Sequence, residues 1–251
     1  MPVPLLPAPR SWRWICAAYA IFRQKPVLIC SALVFYFSLS SLLSTLPHIG
    51  TILSMLVGPC LTVSLMNLIL RPRPTLTDIF QPFRAHLKPL LGLALALMTG
   101  LLLTLSLLAL VDSEFVRALS QPDALEALFK PENRASTLAL FALLTPVFMA
   151  YWFAPLLVAW RQFSIAKAMF FSFMAILRNW RAILGCILLF SLLFFSALVL
   201  TALASTLSLA LARILLALIL LVTAALNFCL TGIIYLDFFP PPAPKHISEL
   251  A

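Results

Sequence analysis

Apolar residues gather into six long runs, at roughly 27–46, 50–70, 89–111, 136–160, 182–204 and 210–236, with short polar segments between them. Each run approaches or exceeds the roughly 20 residues that an α-helix needs to cross about 30 Å of hydrocarbon. The pattern predicts an all-α fold: a polytopic membrane protein with six transmembrane helices in one helical membrane domain, residues 1–240. Only "PHIG" (47–50) separates the first two runs, and "STLS" (205–208) the last two. Links this short force antiparallel neighbours.

Between the runs the pattern changes period. After the fourth, Arg161, Gln162, Ser164 and Lys167 enter among large apolar residues. Placed on a helix at about 100° per residue, residues 162–180 collect Phe163, Ile165, Met169, Phe170, Phe173, Met174, Ile176 and Leu177 on one broad face. Lys167, Arg178, Ser164, Ala168, Ser172 and Asn179 fall on the remainder. A charged stripe opposite a bulky apolar face suits a helix lying in the membrane interface, where Lys167 and Arg178 keep their charges among headgroups. Residues 10–24 repeat the device. Trp12, Ile15, Tyr19 and Phe22 share a face opposite Arg10, Arg13 and Gln24, and Trp12 and Arg13 are the expected anchors. A third, poorer copy at 75–87 is interrupted by Pro82.

The chain leaves these three segments in similar ways, through "IFRQKPVLIC" (21–30), "PFRAHLKPLLG" (82–92) and "ILRNWRAILGC" (176–186). The ends of the paired runs also rhyme: "PCLTVSL" (59–65), "APLLVAW" (154–160) and "FCLTGII" (228–234). The recurrence fits three units of surface helix plus hairpin, a parallel repeat of a kind known in transporters. The spacing from arginine to the next base varies among the copies, and a leucine-rich chain produces chance rhymes of this kind.

Composition sharpens this picture. Of 251 residues, 63% are hydrophobic and 10% charged, and the mean hydropathy is +1.08, which excludes a single water-soluble core. Thirteen lysines and arginines fall on one side of the six runs: 10, 13, 23, 25, 71, 73, 84, 88, 161, 167, 178, 181 and 245. Four (117, 130, 134 and 213) fall on the other. The positive-inside rule then places both termini in the cytoplasm. The net charge of +9 flanks apolar runs instead of forming a basic domain, so the expected partners are membrane lipids, including anionic headgroups, and not nucleic acid. A protein partner or a homo-oligomer stays open. The exterior loop 112–135 carries five acids against three bases and is expected to cap the helices. The tail 241–251 is expected to be disordered.

Chemistry-bearing residues are sparse. Five scattered cysteines (16, 30, 60, 186 and 229) show no CxxC spacing and are expected to be apolar packing residues. No nucleophile elbow, phosphate loop or metal-ligand cluster stands out, so no catalytic residue, cofactor or metal is expected. Asn67 and Asn227 are the candidate polar residues inside spans, either hydrogen-bonding a neighbouring helix or lining a substrate route. Pro59, Pro146 and Pro155 are expected to kink their helices.

The segments "APLLVAWRQFSIAKAMFFSFMAILRNW" and "LPHIGTILSMLVGPCLTVSL" resemble an uncharacterised family of six-span proteobacterial inner-membrane proteins. More distantly, they are similar to the membrane domain attached to some glycerophosphodiester phosphodiesterases. The resemblance implies the fold and a bacterial inner-membrane location, and no activity. The phosphodiesterase chemistry belongs to a separate soluble domain. The functional expectation is a non-enzymatic scaffold or assembly factor, with a transporter or lipid-handling protein as the alternative.

Overall fold

The protein is described from a computed structural model, which covers residues 4, 6–7, 9–46, 49–71, 74–121, 124–206 and 208–240. The expected tail, 241–251, lies outside the described residues. Among the described residues all regular structure is helical: α1 (Arg10–Gln24), α2 (Pro26–Ser44), α3 (Gly50–Leu70), α4 (Leu76–Ala85), α5 (Leu87–Val111), α6 (Ser113–Leu119), α7 (Ala124–Phe129), a 3-10 turn (Pro131–Asn133), α8 (Arg134–Tyr151), α9 (Ala154–Arg161), α10 (Ile165–Arg178), α11 (Trp180–Ser205) and α12 (Leu209–Phe238). Six segments are long and apolar enough to cross a membrane: α2, α3, α5, the stretch Pro131–Arg161, α11 and α12. They coincide with the six apolar runs, and the protein is a multi-pass membrane protein.

The surface-helix segments are separate helices, and each joins its span through one non-helical residue. Lys25 (φ −141°, ψ 47°) divides α1 from α2. His86 (φ −131°, ψ 16°) divides α4 from α5, and Asn179 (φ −112°, ψ 23°) divides α10 from α11. All three junction residues have extended φ with small positive ψ.

The fourth span departs from a simple kinked helix. It breaks at Trp152 and Phe153, and Pro155 stands in the first turn of α9, where a missing N–H costs nothing. Pro155 therefore starts a helix, correcting the expectation of a kink within one. Ser172 of α10 fills the break: its hydroxyl donates to the Met149 carbonyl at 2.7 Å and accepts the Phe153 N–H at 3.0 Å. Pro59 and Pro146 lie inside α3 and α8. α9 ends at Gln162, whose φ of 52° is left-handed. This residue turns the chain out of the span, and the N–H groups of Gln162 and Phe163 both reach back to the Leu157 carbonyl.

Contacts divide the chain into two compact units. One comprises Met1–Leu39, Ser64–Ile79 and Arg178–Ala251; the other comprises Ser40–Val63 and Phe80–Leu177. In the first, α1 packs on α11 and α12, and those two pack on each other. Small residues set the spacing. A β-carbon at Gly185 would lie 2.9 Å from Ser11 Oγ, and one at Gly232 would lie 3.1 Å from Leu70 Cδ2.

In the second unit α5 packs on α8 and α9. After α5, Phe115 of α6 (2% exposed) packs on Leu108 and Leu140. Asp112 caps α6 by accepting the Phe115 N–H at 2.9 Å, and it takes the Ser136 hydroxyl of α8 at 2.5 Å.

Candidate functional site

The charged and polar groups of the first unit concentrate where α1, α11 and α12 meet, at the C-terminal end of α12. Asp237, in the last turn of α12, receives three hydrogen bonds from α1. Arg10 binds it in bidentate fashion, Nε to Oδ2 at 2.8 Å and Nη2 to Oδ1 at 3.1 Å, and Trp14 Nε1 donates to Oδ2 at 2.6 Å. Trp14 is 1% exposed, and its ring stands edge-on to Phe238 with centroids 5.7 Å apart. A bidentate guanidinium–carboxylate pair combines charge with fixed geometry. Here it locks α1 across the end of α12. In the same unit buried Asn179 holds the segment before α1, accepting the Leu6 N–H at 2.8 Å and donating to the Pro4 carbonyl at 3.1 Å.

A second cluster closes the end of α3. Asp78 accepts the Thr75 N–H at 2.8 Å and its hydroxyl at 3.0 Å, and it pairs with the Arg71 guanidinium. The Thr75 backbone N–H does most to hold this carboxyl below the usual carboxylate range, with the Thr75 hydroxyl and Arg71 adding to it against a smaller opposing push from burial. Asn67 is buried and donates Nδ2 to the Asp78 carbonyl at 3.3 Å, while Ser64 Oγ donates to the Ile79 carbonyl at 2.5 Å. Lys25 reaches the Arg71 carbonyl, and Leu70 rests on Gly232. These contacts tie the Asp78 cluster to α1 and α12.

The candidates drawn from sequence are dispersed. Asn67 is buried in the Asp78 cluster, whereas Asn227 lies exposed on α12. Pro59 and Pro155 are buried, and Pro146 is exposed. The anchors Trp12, Arg13, Lys167 and Arg178 are all exposed, with Trp12 at 62%. Lys167 Nζ stands 4.3 Å from the centroid of the Phe163 ring, and the Arg181 guanidinium 5.5 Å from that of Trp180, both within cation–π range.

Both amphipathic helices pack on protein largely through small residues. On α10 the buried stripe is Ala168, Ser172, Ala175 and Ile176, while Phe170 and Leu177 are exposed. On α1 it is Ser11, Trp14 and Ala18, while Trp12 and Tyr19 point outward. Lipid is as apolar as leucine, so bulk gains little by leaving it, and close packing favours small residues. Among the described residues no group of three His, Cys, Asp or Glu side chains is gathered to hold a metal. None of the five cysteines is in a disulfide, and Cys60, Cys186 and Cys229 are buried.

Sequence reasoning passed over Asp237, Trp14 and Asp78. One signal for Asp237 was present: an acid directly following an apolar run of this length needs a partner near the polar boundary. Its partner lies 227 positions away, where no local pattern points.

The chain is 29% identical over 196 aligned residues to a protein of Burkholderia thailandensis named as a probable inner membrane protein, with 68% of each chain covered. That similarity lends nothing to a link with glycerophosphodiester phosphodiesterases. No protein-family model matches the chain, and no solved structure matches it.

Proposed function

We propose that this is a bacterial inner-membrane protein with both termini in the cytoplasm, acting as a non-enzymatic scaffold or assembly factor through its helix surfaces. The inner-membrane location follows the name of the Burkholderia relative, and the orientation follows the basic residues on the side of α1, α4 and α10. The observation that carries the scaffold reading is the engagement of the polar groups at the ends of the spans. Asn67 and Ser64 hold the Asp78 and Ile79 carbonyls, the Asp78 carboxylate holds the Thr75 N–H, and Asp237 holds α1. These groups fix helix positions; a substrate route would instead need them turned toward a path. Exposed Trp12 and Tyr19 on α1, with Lys167 and Arg178 on α10, suit contact with anionic headgroups.

The same exposed cations and rings favour lipid handling as the second reading. Purification of the full chain in mild detergent separates the two. A stoichiometric protein partner supports the scaffold. Repeated recovery without one, together with tightly bound lipid, favours lipid handling.

A further inference from the structure

From the placement of Asn227 we infer that the exposed face of α12 is a homodimer interface, in which Asn227 of one copy pairs with Asn227 of a second. Asn227 stands ten residues before Asp237, about 15 Å along the helix axis. The Arg10–Asp237 pair marks the polar boundary, and half of a roughly 30 Å hydrocarbon layer is the same distance. The amide therefore sits near the middle of the membrane, exposed on the outside of its own chain.

Hydroxyls elsewhere in the spans bond within their own helices. Thr99 donates to the Leu95 carbonyl, Thr145 to Phe141, Ser196 to Leu193 and Thr201 to Ala197. A side-chain amide carries two donors and an acceptor, more than a neighbouring helical carbonyl can satisfy. Among the described residues the Asn227 side chain takes no partner; only its main-chain carbonyl is used, by the Thr231 hydroxyl at 3.0 Å. Leaving such a group in hydrocarbon is costly.

The occupant follows from geometry. All copies insert in the same direction, so α12 of one copy meets α12 of another in parallel and at equal depth. A two-fold axis along the membrane normal then sets amide against amide, and an amide is its own hydrogen-bonding complement. Half-buried Thr223 and Ala224 lie on the same side of the helix and are small enough to let two backbones approach. Leu220 extends the face one turn further out.

This deepens the helix-packing reading on which it rests, but the purified chain alone decides it, whereas partner capture decides the scaffold. The test is single-molecule photobleaching of full-length protein, labelled at a C-terminal tag, in liposomes over a series of protein-to-lipid ratios. Wild type should show two-step bleaching that gives way to one-step bleaching on dilution. Asn227→Leu should weaken association about tenfold, as loss of an interhelical hydrogen bond at membrane depth would, and Asn227→Gln should restore most of it. Leu218→Asn, on the opposite side of α12, should not replace the lost contact in the Asn227→Leu background. Helix content by circular dichroism checks that each variant folds. A wild-type protein that stays monomeric at every ratio overturns the inference. So does a dimer indifferent to Asn227→Leu.

Discussion

Replacing Asp237 with alanine leaves the Arg10 guanidinium and the Trp14 indole N–H facing each other without an acceptor. Losing hydrogen bonds to a charged group should cost about 1–3 kcal/mol. The check is thermal unfolding in detergent, read together with Trp14 emission, which should shift to the red as α1 loosens. Asp237→Asn keeps an acceptor for the indole and should fall between. A separate outcome belongs to acid. The Ser136 hydroxyl, then the Phe115 N–H, hold the Asp112 carboxyl below its ordinary value of 3.8, and Asp78 is lowered as well. A depressed folded value means stability that is fully present above the ordinary value and lost as pH falls through the folded one. Melting temperature should therefore drop below about pH 4, and Asp112→Asn should flatten that slope. None of these pairings was legible in sequence. Arg10 looked like one more interfacial base, and Asp237 merely followed an apolar run. Pairing them requires knowing that α1 folds back over α12, which no local pattern encodes.

The helices themselves were far more legible than their faces. Apolar length fixed the spans within a few residues, and the change of period marked α1 and α10, because both signals depend on neighbours in the chain. The period of α10 gave an apolar face for the membrane but not the side that packs on protein, because in lipid bulk and burial part company: Ala168, Ser172 and Ala175 pack while Phe170 faces out. Gly185→Leu tests this spacing rule. A side chain there meets Ser11 and should cost about 1–3 kcal/mol through overpacking. Freed α1 should then become more susceptible to limited proteolysis near Lys25. The break in the fourth span offers a second test. Ser172→Val removes both hydrogen bonds that bridge Met149 and Phe153 and should destabilise by about 1–3 kcal/mol. Ser172→Thr, which keeps the hydroxyl, should cost less.

In the proposed topology six spans, an even number, return the chain to the side from which it started, and the basic residues assign α1, α4 and α10 to that side. Single-residue junctions at Lys25, His86 and Asn179 join α1, α4 and α10 to the spans that follow them. Their bases belong to the group of thirteen. In that topology the exposed cations of α1 and α10 meet anionic lipid at the cytoplasmic face. Paired reporter fusions, one active only in the cytoplasm and the other only outside it, measure this arrangement directly. Fusions after Thr75, Ser164 and Pro240 should give the cytoplasmic signal, and those after Leu46, Ser120 and Thr206 the exterior one. An exterior signal after Ser164 would contradict both the proposed orientation and the assignment of α10 to the cytoplasmic side.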